Sequence, residues 1–244
     1  WRKDLIEAAL AERGVDVRSF DAVIGRGGIV GPIESGVYEV NEDLVYDLMH
    51  ARMQHASNLG GLIAGDIARE IGVKAYIADP VVVDEMMPYA RISGLPELPR
   101  ESVFHALNQK AVARLFAKEN NRRYEELNLT VCHMGGGITV SAHRRGRVID
   151  TTNALDGCGP FSPERSGSLP PGPLIHLCFS GKYTEEELIR KVHGAGGLVA
   201  HLGTTSVPEV LDRIQAHDLH SMLVLRAMCY TISKEIGAMA IALK

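Results

Sequence analysis

Hydrophobic residues recur along the chain with two spacings, and the two spacings alternate from its beginning to its end. Apolar residues three and four positions apart are typical of amphipathic helices, whereas short β-branched runs between turns are typical of strands. The segments with these patterns are helices at 4–12, 41–50 and 57–71, helices that begin near residues 102, 184, 206 and 220, and strands at 20–25, 74–78 and three times within 128–153. Strands that alternate with helices in this way predict an α/β protein.

The helix that begins near residue 102 carries an apolar and a polar pattern at once. The apolar residues that we predict to form its buried stripe are Phe104, Leu107, Ala111, Leu115 and Phe116. His105, Asn108 and Gln109 lie at positions i, i+3 and i+4, so they form one polar patch on this helix. A histidine on a helix is more often a structural residue than a functional one, and both interpretations stay open here.

The stretch 128–153 is predicted to be a three-stranded hairpin with a glycine turn. Gly135, Gly136 and Gly137 follow each other between its first two strands. Glycines let an anion approach the backbone N–H groups without meeting a Cβ, so such a turn can hold the phosphates of a nucleotide. It is not a P-loop, because no Gly-Lys-Ser/Thr follows. The alternative is a hairpin turn that needs positive φ angles.

Two domains are predicted, comprising residues 1–92 and 93–244. The segment 93–99, with sequence SGLPELP, lacks periodicity and is rich in glycine and proline, as linkers are. A second irregular segment, 156–173, contains an arginine and two acidic residues. Irregular loops of this length are often functional, and we interpret this one as an ordered functional loop.

The bulk properties exclude several classes of protein. A formal net charge of −4 gives no electrostatic basis for nucleic-acid binding. No apolar run is long enough to suggest a membrane-spanning helix. The four cysteines form no C-x-x-C pair, so we expect neither a disulfide framework nor a zinc site, and a reducing cytoplasm fits best.

Several residues at the ends of predicted elements combine charge with turn geometry. They are Arg26, His55, Asp79, His105 and Arg165. Each has a structural alternative, since an aspartate before a proline commonly starts a turn and an arginine in a glycine turn can cap a carbonyl. Taken together, cationic and acidic groups at element ends suit phosphate chemistry.

At this point the chain resembles the butyrate kinases, in the acetate kinase branch of the superfamily of sugar kinases, heat-shock chaperones and actin. The motifs that carry the resemblance are AVIGRGG (22–28), QHASNLGG (54–61), YIADPVVVDE (76–85), SVFHALNQKAVAR (102–114), VCHMGGGITVSAH (131–143) and NALDGCGPFSPERSG (153–167). The resemblance implies two actin-like, ribonuclease H-like α/β domains with a cleft between them. It also implies ATP or ADP and Mg²⁺ as cofactors, a small carboxylate as substrate, and a homo-oligomer.

The resemblance assigns a role to each candidate residue. His133 and the three glycines are expected beside the ATP phosphates. Asp79 is the expected active-site aspartate near Mg²⁺, and His55 belongs to the cleft wall. His105 is expected to donate to the transferring phosphoryl group, and Arg165 to bind substrate and phosphate.

Two features of the sequence depart from the family pattern. The Asn-Pro-Gly-Ser-Thr turn of the first phosphate loop and the Thr-Gly-Gly adenosine motif are not found. We therefore expect a chain that is shortened at both ends, with both domains incomplete and a sheet edge exposed. On its own, such a chain is expected to be weakly active or inactive. Cys158 stands where an acidic residue is expected, and Arg26 stands where acetate kinases have a histidine. The expected reaction is reversible phosphorylation of butyrate or a similar acid. The alternatives are a non-catalytic actin-like nucleotide-binding module and an inactive fragment.

Overall fold

The computed structural model of the chain describes residues 1–51, 55–153, 155 and 157–244. Gln54, which opens one of the family-like motifs, lies outside the described residues. So does Asp156, one of the two acidic residues of the predicted functional loop.

The described residues pack into two units, Trp1–Asp84 and Glu85–Lys244. The division into domains after Ile92 stays a prediction, and a buried ion pair explains why residue 85 packs with the second unit. The Glu85 carboxylate lies 2.9 Å from Nζ of Lys110 and accepts the backbone N–H of Val148 at 2.8 Å. These contacts make residue 85 part of the second unit.

The first unit combines a small sheet with three helices. Its elements are α1 (Arg2–Glu12), β1 (Ala22–Arg26), β2 (Val37–Glu39), α2 (Glu42–Met49), α3 (Asn58–Ile71) and β3 (Lys74–Ala78). The strand order is β1-β3-β2, with β1 parallel and β2 antiparallel to β3. The side chain of Asn41 caps α2 by accepting the N–H of Leu44, and Gly72 ends α3 in the left-handed conformation.

Glycines bring α3 into direct backbone contact with the end of β1. A Cβ added to Gly25 would overlap with the carbonyl of Gly60, and a Cβ added to Gly60 would overlap with the carbonyl of Arg26. Further along α3, Ala64 and Ala68 form a small core with Ala75 of β3. The small residues therefore fix where the N-terminus of α3 lies, at the carboxyl end of β1.

The second unit is built on an antiparallel sheet with helices around it. Its elements are α4 (Ala106–Glu119), β4 (Asn128–Met134), β5 (Ile138–Arg144), β6 (Arg147–Thr151), α5 (Pro171–Cys178), α6 (Glu185–His193), α7 (Leu198–Leu202), α8 (Val207–Gln215) and α9 (Leu219–Leu243). The strand order β4-β5-β6 is that of the predicted three-stranded hairpin. Ile138 of β5 packs against Leu198 of α7 and Met228 of α9 in the main core.

The predicted buried stripe of α4 is wrong except at Phe104, which precedes the helix and is completely buried. Leu107, Leu115 and Phe116 are 40%, 54% and 47% exposed, whereas Gln109 and Lys110 are completely buried or nearly so. The reason is the surface on which α4 packs: Gln109 hydrogen-bonds to Thr139 and to His143, two polar residues of β5. The first turn of α4 therefore buries polar positions, whereas further along the helix Ala113 and Ala117 pack against apolar side chains of β4.

Within the described parts of the chain, the structure contains no helix with the length and hydropathy needed to cross a membrane. Helices and two small sheets, one mixed and one antiparallel, make up the two units. The predicted α/β class is confirmed.

Candidate active site

The three hairpin glycines are required by close packing and not by backbone angle. None of Gly135, Gly136 and Gly137 is among the residues with positive φ. Instead, a Cβ on Gly137 would overlap with Nη1 of Arg165, and a Cβ on Gly136 would come within 3.1 Å of the Glu164 carboxylate. The space beside these glycines is therefore occupied by the loop that carries Arg165.

A tight turn holds Arg165 against the hairpin. The backbone N–H of Arg165 donates to Oγ of Ser162 at 3.2 Å, and the N–H of Ser162 donates to the carbonyl of Arg165 at 3.0 Å. The Ser162 hydroxyl donates in turn to the carbonyl of Gly136 at 2.6 Å. Ser162 thus fastens the arginine loop to the glycine turn.

Arg165 is a largely buried cation. Its side chain is 16% exposed. Burial lowers the pKa of the Arg165 guanidinium, and the negative charge of Glu164 partly opposes that shift. An arginine keeps its charge at neutral pH all the same, so the hairpin carries a positive charge that is poorly screened by water.

Two histidines stack beside the same hairpin. The rings of His105 and His133 lie parallel, with centroids 3.8 Å apart and an interplanar angle of 12°. Nδ1 of His133 donates to Oδ1 of Asn108 at 2.7 Å. The stack and this hydrogen bond together fix the His133 ring beside His105.

His105 immediately precedes α4 and contacts the beginning of β5. Its Nδ1 lies 2.8 Å from Oγ1 of Thr139, which also accepts a hydrogen bond from Nε2 of Gln109 at 2.9 Å. Thr139 is completely buried. The position of the His105 ring is thereby fixed from the side of the protein interior.

In the first unit, Asp79 has a strained backbone and well-defined partners. It follows β3 with φ of +35°, a region that few residues other than glycine adopt. Its N–H donates to the carbonyl of Gly36, and its carboxylate accepts the N–H of Gly36 at 3.0 Å and the hydroxyl of Ser35 at 2.6 Å. Strain that the surroundings enforce is common at functional sites.

Arg26 and His55 lie near the same end of this sheet. Because β1 and β3 are parallel and Arg26 pairs with Ala78, Arg26 and Asp79 both lie where the carboxyl ends of these strands meet. The Arg26 side chain is exposed there. His55 precedes α3 and its Nδ1 contacts Oγ of Ser57 at 2.8 Å.

The structure thus gathers the predicted residues in two groups. In the second unit, the glycine hairpin brings together His105, His133 and Arg165. In the first, the carboxyl ends of β1 and β3 bring together Arg26, Asp79 and the start of α3.

Sequence reasoning missed three residues that hold these groups. Thr139 positions His105, Ser35 positions Asp79, and Asn58 accepts the N–H of Ile29 to fix the turn after β1. One signal was available for Thr139, since polar Thr139, Ser141 and His143 alternate with apolar residues along β5.

No group of three or more acidic, histidine or cysteine side chains that could enclose a metal ion occurs among the described residues. A single carboxylate such as Asp79 still suits Mg²⁺ that arrives with a nucleotide. Mg²⁺ keeps several waters and commonly uses one or two carboxylates together with substrate phosphates.

Known butyrate kinases are similar to this chain over its whole length. Butyrate kinase 2 of Clostridium acetobutylicum is 53% identical over 244 residues, which are all of this chain and 68% of that protein. A probable butyrate kinase of Bacteroides thetaiotaomicron is 52% identical over all of this chain and 69% of its own length. The chain therefore spans about two thirds of the length of these relatives.

Solved structures share the fold. The acetate kinase of Porphyromonas gingivalis superposes with a TM-score of 0.83 at 20% identity, over 99% of this chain and 65% of that one. A propionate kinase from Francisella tularensis gives a TM-score of 0.81 at 19% identity, over 98% of this chain and 64% of that one. The predicted acetate kinase type of α/β fold is confirmed.

The family model that matches is described as the acetokinase family, and it covers residues 97–244. The enzyme class that the resemblance implied, a phosphotransferase with a carboxyl group as acceptor, is the class of this family. The resemblance itself is confirmed by relatives that are 50% to 53% identical over the whole chain. The chain belongs to the acetokinase family.

Proposed function

We propose that the full-length protein transfers the γ-phosphoryl group of ATP to the carboxylate of butyrate, or of a related short or branched fatty acid, and catalyses the reverse reaction. The butyrate kinase relatives support this choice of acid. The products are ADP and an acyl phosphate.

The chemistry of the acceptor explains the residues of the second unit. A carboxylic acid is already ionised at neutral pH, so no general base is needed to activate it. A carboxylate oxygen forms a bond to the γ-phosphorus while the bond from that phosphorus to the ADP oxygen breaks. The obstacle is repulsion between two anions, and positive charge with correct positioning removes it.

The observation that carries the proposal is the grouping of the buried Arg165 cation with two histidines on the glycine hairpin. Arg165 lies against Gly137, and His105 and His133 stack beside Gly135. We assign the nucleotide phosphates to this hairpin, with His133 and the glycines beside them. Arg165 then contacts the transferring phosphoryl group and balances its negative charge, and the Nε2 side of His105 contacts the same group as a hydrogen-bond donor.

The residues of the first unit have a complementary assignment. Asp79 would hold the Mg²⁺ that accompanies the nucleotide, and that ion would supply positive charge to the phosphates. Arg26 contacts the carboxylate or the phosphoryl group, and His55 lines the acid. The fixed partners of Asp79, Ser35 and Gly36, support a positioning role, since they hold its carboxylate before any ligand arrives.

The proposal extends to partners and location. The partners are a nucleotide and a small carboxylate, and neither a nucleic acid nor a membrane is among them. By the family resemblance, the protein is a cytoplasmic homo-oligomer. The net charge of −4 supports the absence of a nucleic-acid partner.

An acyl-hydroxamate assay tests the proposed reaction. The full-length protein is supplied with Mg²⁺-ATP, hydroxylamine and butyrate, isobutyrate or acetate in turn, and hydroxamate formation is measured. We expect product with at least one acid and a loss of about 10³-fold in rate in Arg165→Ala, as for arginines that contact a transferring phosphoryl group in other enzymes. Absence of product with all three acids contradicts the proposal, and an unchanged rate in Arg165→Ala contradicts the role of that residue.

A further inference from the structure

A chain of hydrogen bonds leads from the interior of the second unit to His105. Tyr124 Oη lies 2.7 Å from Nδ1 of His143, and Nε2 of His143 lies 3.0 Å from Oε1 of Gln109. Nε2 of Gln109 lies 2.9 Å from Oγ1 of Thr139, which lies 2.8 Å from Nδ1 of His105. We call these four residues, Tyr124, His143, Gln109 and Thr139, the relay. All four are at least 96% buried, so water cannot substitute for a missing bond.

The direction of the relay is set at one backbone carbonyl. The side-chain amide of Gln109 lies 3.2 Å from the carbonyl oxygen of Thr139, and that oxygen can only accept. The end of the amide that faces Thr139 must therefore be the NH₂ group. The other end, the oxygen, faces His143, so Nε2 of His143 carries a hydrogen.

The far end of the relay then follows from the state of His143. This ring is completely buried, with the cations Lys110 and Arg114 nearby. Burial first, and then these two charges, lower the pKa of His143 from 6.5 to about 3, so the ring is neutral. With its hydrogen on Nε2, its Nδ1 is an acceptor and the hydroxyl of Tyr124 donates to it.

The near end follows from the Thr139 hydroxyl. Its oxygen accepts from Gln109, and its two side-chain partners among the described residues are Gln109 and His105. A buried hydroxyl hydrogen that made no bond would cost about 1–3 kcal/mol. The hydrogen therefore points to Nδ1 of His105. This nitrogen is an acceptor, and the proton of the neutral ring is on Nε2.

We propose that the relay holds His105 as the neutral tautomer with its proton on Nε2, and that Thr139, Gln109 and His143 are positioning residues for it. The consequence rests on the proposed function: His105 meets the phosphoryl oxygens as an N–H donor. The opposite tautomer would turn a lone pair toward an anionic oxygen. The relay thus selects the one neutral form of His105 that stabilises the reaction.

Nitrogen NMR of the full-length protein, labelled with ¹⁵N-histidine, tests the tautomer directly. The signals of His105 are assigned by their loss in His105→Asn. At neutral pH we expect a protonated Nε2 and an unprotonated Nδ1 in the wild type. A protonated Nδ1 in the wild type, alone or in an imidazolium, would overturn the proposal whatever the enzyme does.

Two pairs of variants separate the relay from a purely structural role. Thr139→Val removes the hydroxyl at nearly constant volume, whereas Thr139→Ser keeps it. We expect a mixture of tautomers in Thr139→Val and the wild-type tautomer in Thr139→Ser. Gln109→Leu, which leaves the Thr139 hydroxyl without its donor, is expected to give a mixture as well, whereas exchange of the exposed Lys118 for Met is the control on the same helix.

Kinetics show whether the tautomer matters to the reaction. We expect kcat to fall about tenfold in Thr139→Val, the effect of one hydrogen bond, with KM for ATP within about twofold of the wild type. Wild-type tautomers in both Thr139→Val and Gln109→Leu would overturn the relay. A changed tautomer with unchanged kcat would support the relay and overturn the role of His105 in the proposed reaction.

Discussion

At the scale of single residues, the glycines are the strongest sequence signal for the candidate site, although not for the reason that their pattern first indicates. The triplet Gly135, Gly136 and Gly137 predicted an open phosphate loop or a turn with positive φ. The structure shows a third use, in which the arginine loop packs on Gly136 and Gly137. Phosphate binding at this hairpin stays a prediction, and the cation that would serve it comes from 28 residues further along the chain.

Replacement of Gly137 by alanine tests this contact. The new Cβ would overlap with the guanidinium of Arg165, whose flexible end can move away. We therefore expect a fold that persists and a kcat that falls about 10²-fold, because a displacement of about 1 Å can cost that much in a positioned site. Gly237→Ala, at a position with open space in α9, is the matched control. Equal kcat values for the two variants would contradict the proposed position of Arg165.

His143 gives a pH-dependent contribution to stability. Its folded pKa of about 3 lies below the unfolded value of 6.5, so between these values the unfolded chain binds more protons. The free energy of unfolding should therefore fall as the pH drops below about 6.5, by at most about 1.4 kcal/mol per pH unit from this residue. Lys110 and Arg114 disfavour the charged form of the ring, and the Tyr124 hydroxyl donates to Nδ1 of the neutral form.

Urea denaturation between pH 4 and 7, a window that begins just above the unfolded pKa of 6.5 and runs down toward the folded one, measures the effect. We expect His143→Gln to be less stable at neutral pH but to depend less on pH than the wild type. His176→Gln, at an exposed histidine of α5, should keep the wild-type dependence. Parallel pH curves for His143→Gln and the wild type would rule out this account of His143.

At the scale of elements, the burial of α4 shows where pattern reasoning fails. Hydrophobic periodicity assumes that the buried side of a helix is apolar. Here Thr139, Ser141 and His143 make one side of β5 polar, and Gln109 of α4 hydrogen-bonds to that side. The two polar patterns were both visible in the sequence, but their match appears only when helix and strand are brought together.

Lys110 is the charged residue that this packing buries most completely. Its ammonium group contacts the Glu85 carboxylate at 2.9 Å and donates to the carbonyl of Gly146 at 3.1 Å. Lys110→Met leaves Glu85 as an uncompensated buried charge, so we expect a loss of about 3–5 kcal/mol in the free energy of unfolding. Chemical denaturation measures this loss.

The matched control lies on the same helix. Lys118→Met changes an exposed lysine, for which we expect about 0.5 kcal/mol or less. Adding Glu85→Gln to Lys110→Met should recover part of the lost stability, because it removes the unpaired charge. Equal stabilities for the Lys110 and Lys118 variants would show that the buried ion pair does not hold residue 85 in the second unit.

At the scale of the whole molecule, sequence reasoning predicted the α/β class, the antiparallel hairpin sheet and the family. These depend on local signals, such as glycine turns, helix caps and extended motifs, which can be recognised without knowledge of tertiary contacts. The boundary after Asp84 could not be predicted, because it depends on Glu85 meeting Lys110 across 25 positions of sequence. The cleft between two domains and the roles of the site residues stay predictions.

The central claim is that the full-length protein makes an acyl phosphate. The most direct measurement is ³¹P NMR of a mixture of this protein, Mg²⁺-ATP and butyrate. The account predicts that ADP and an acyl phosphate signal grow together, that both depend on butyrate, and that Arg165→Ala suppresses both. Release of inorganic phosphate at a rate that butyrate does not change, with no acyl phosphate signal, would contradict it and would favour a nucleotide-binding module without kinase activity.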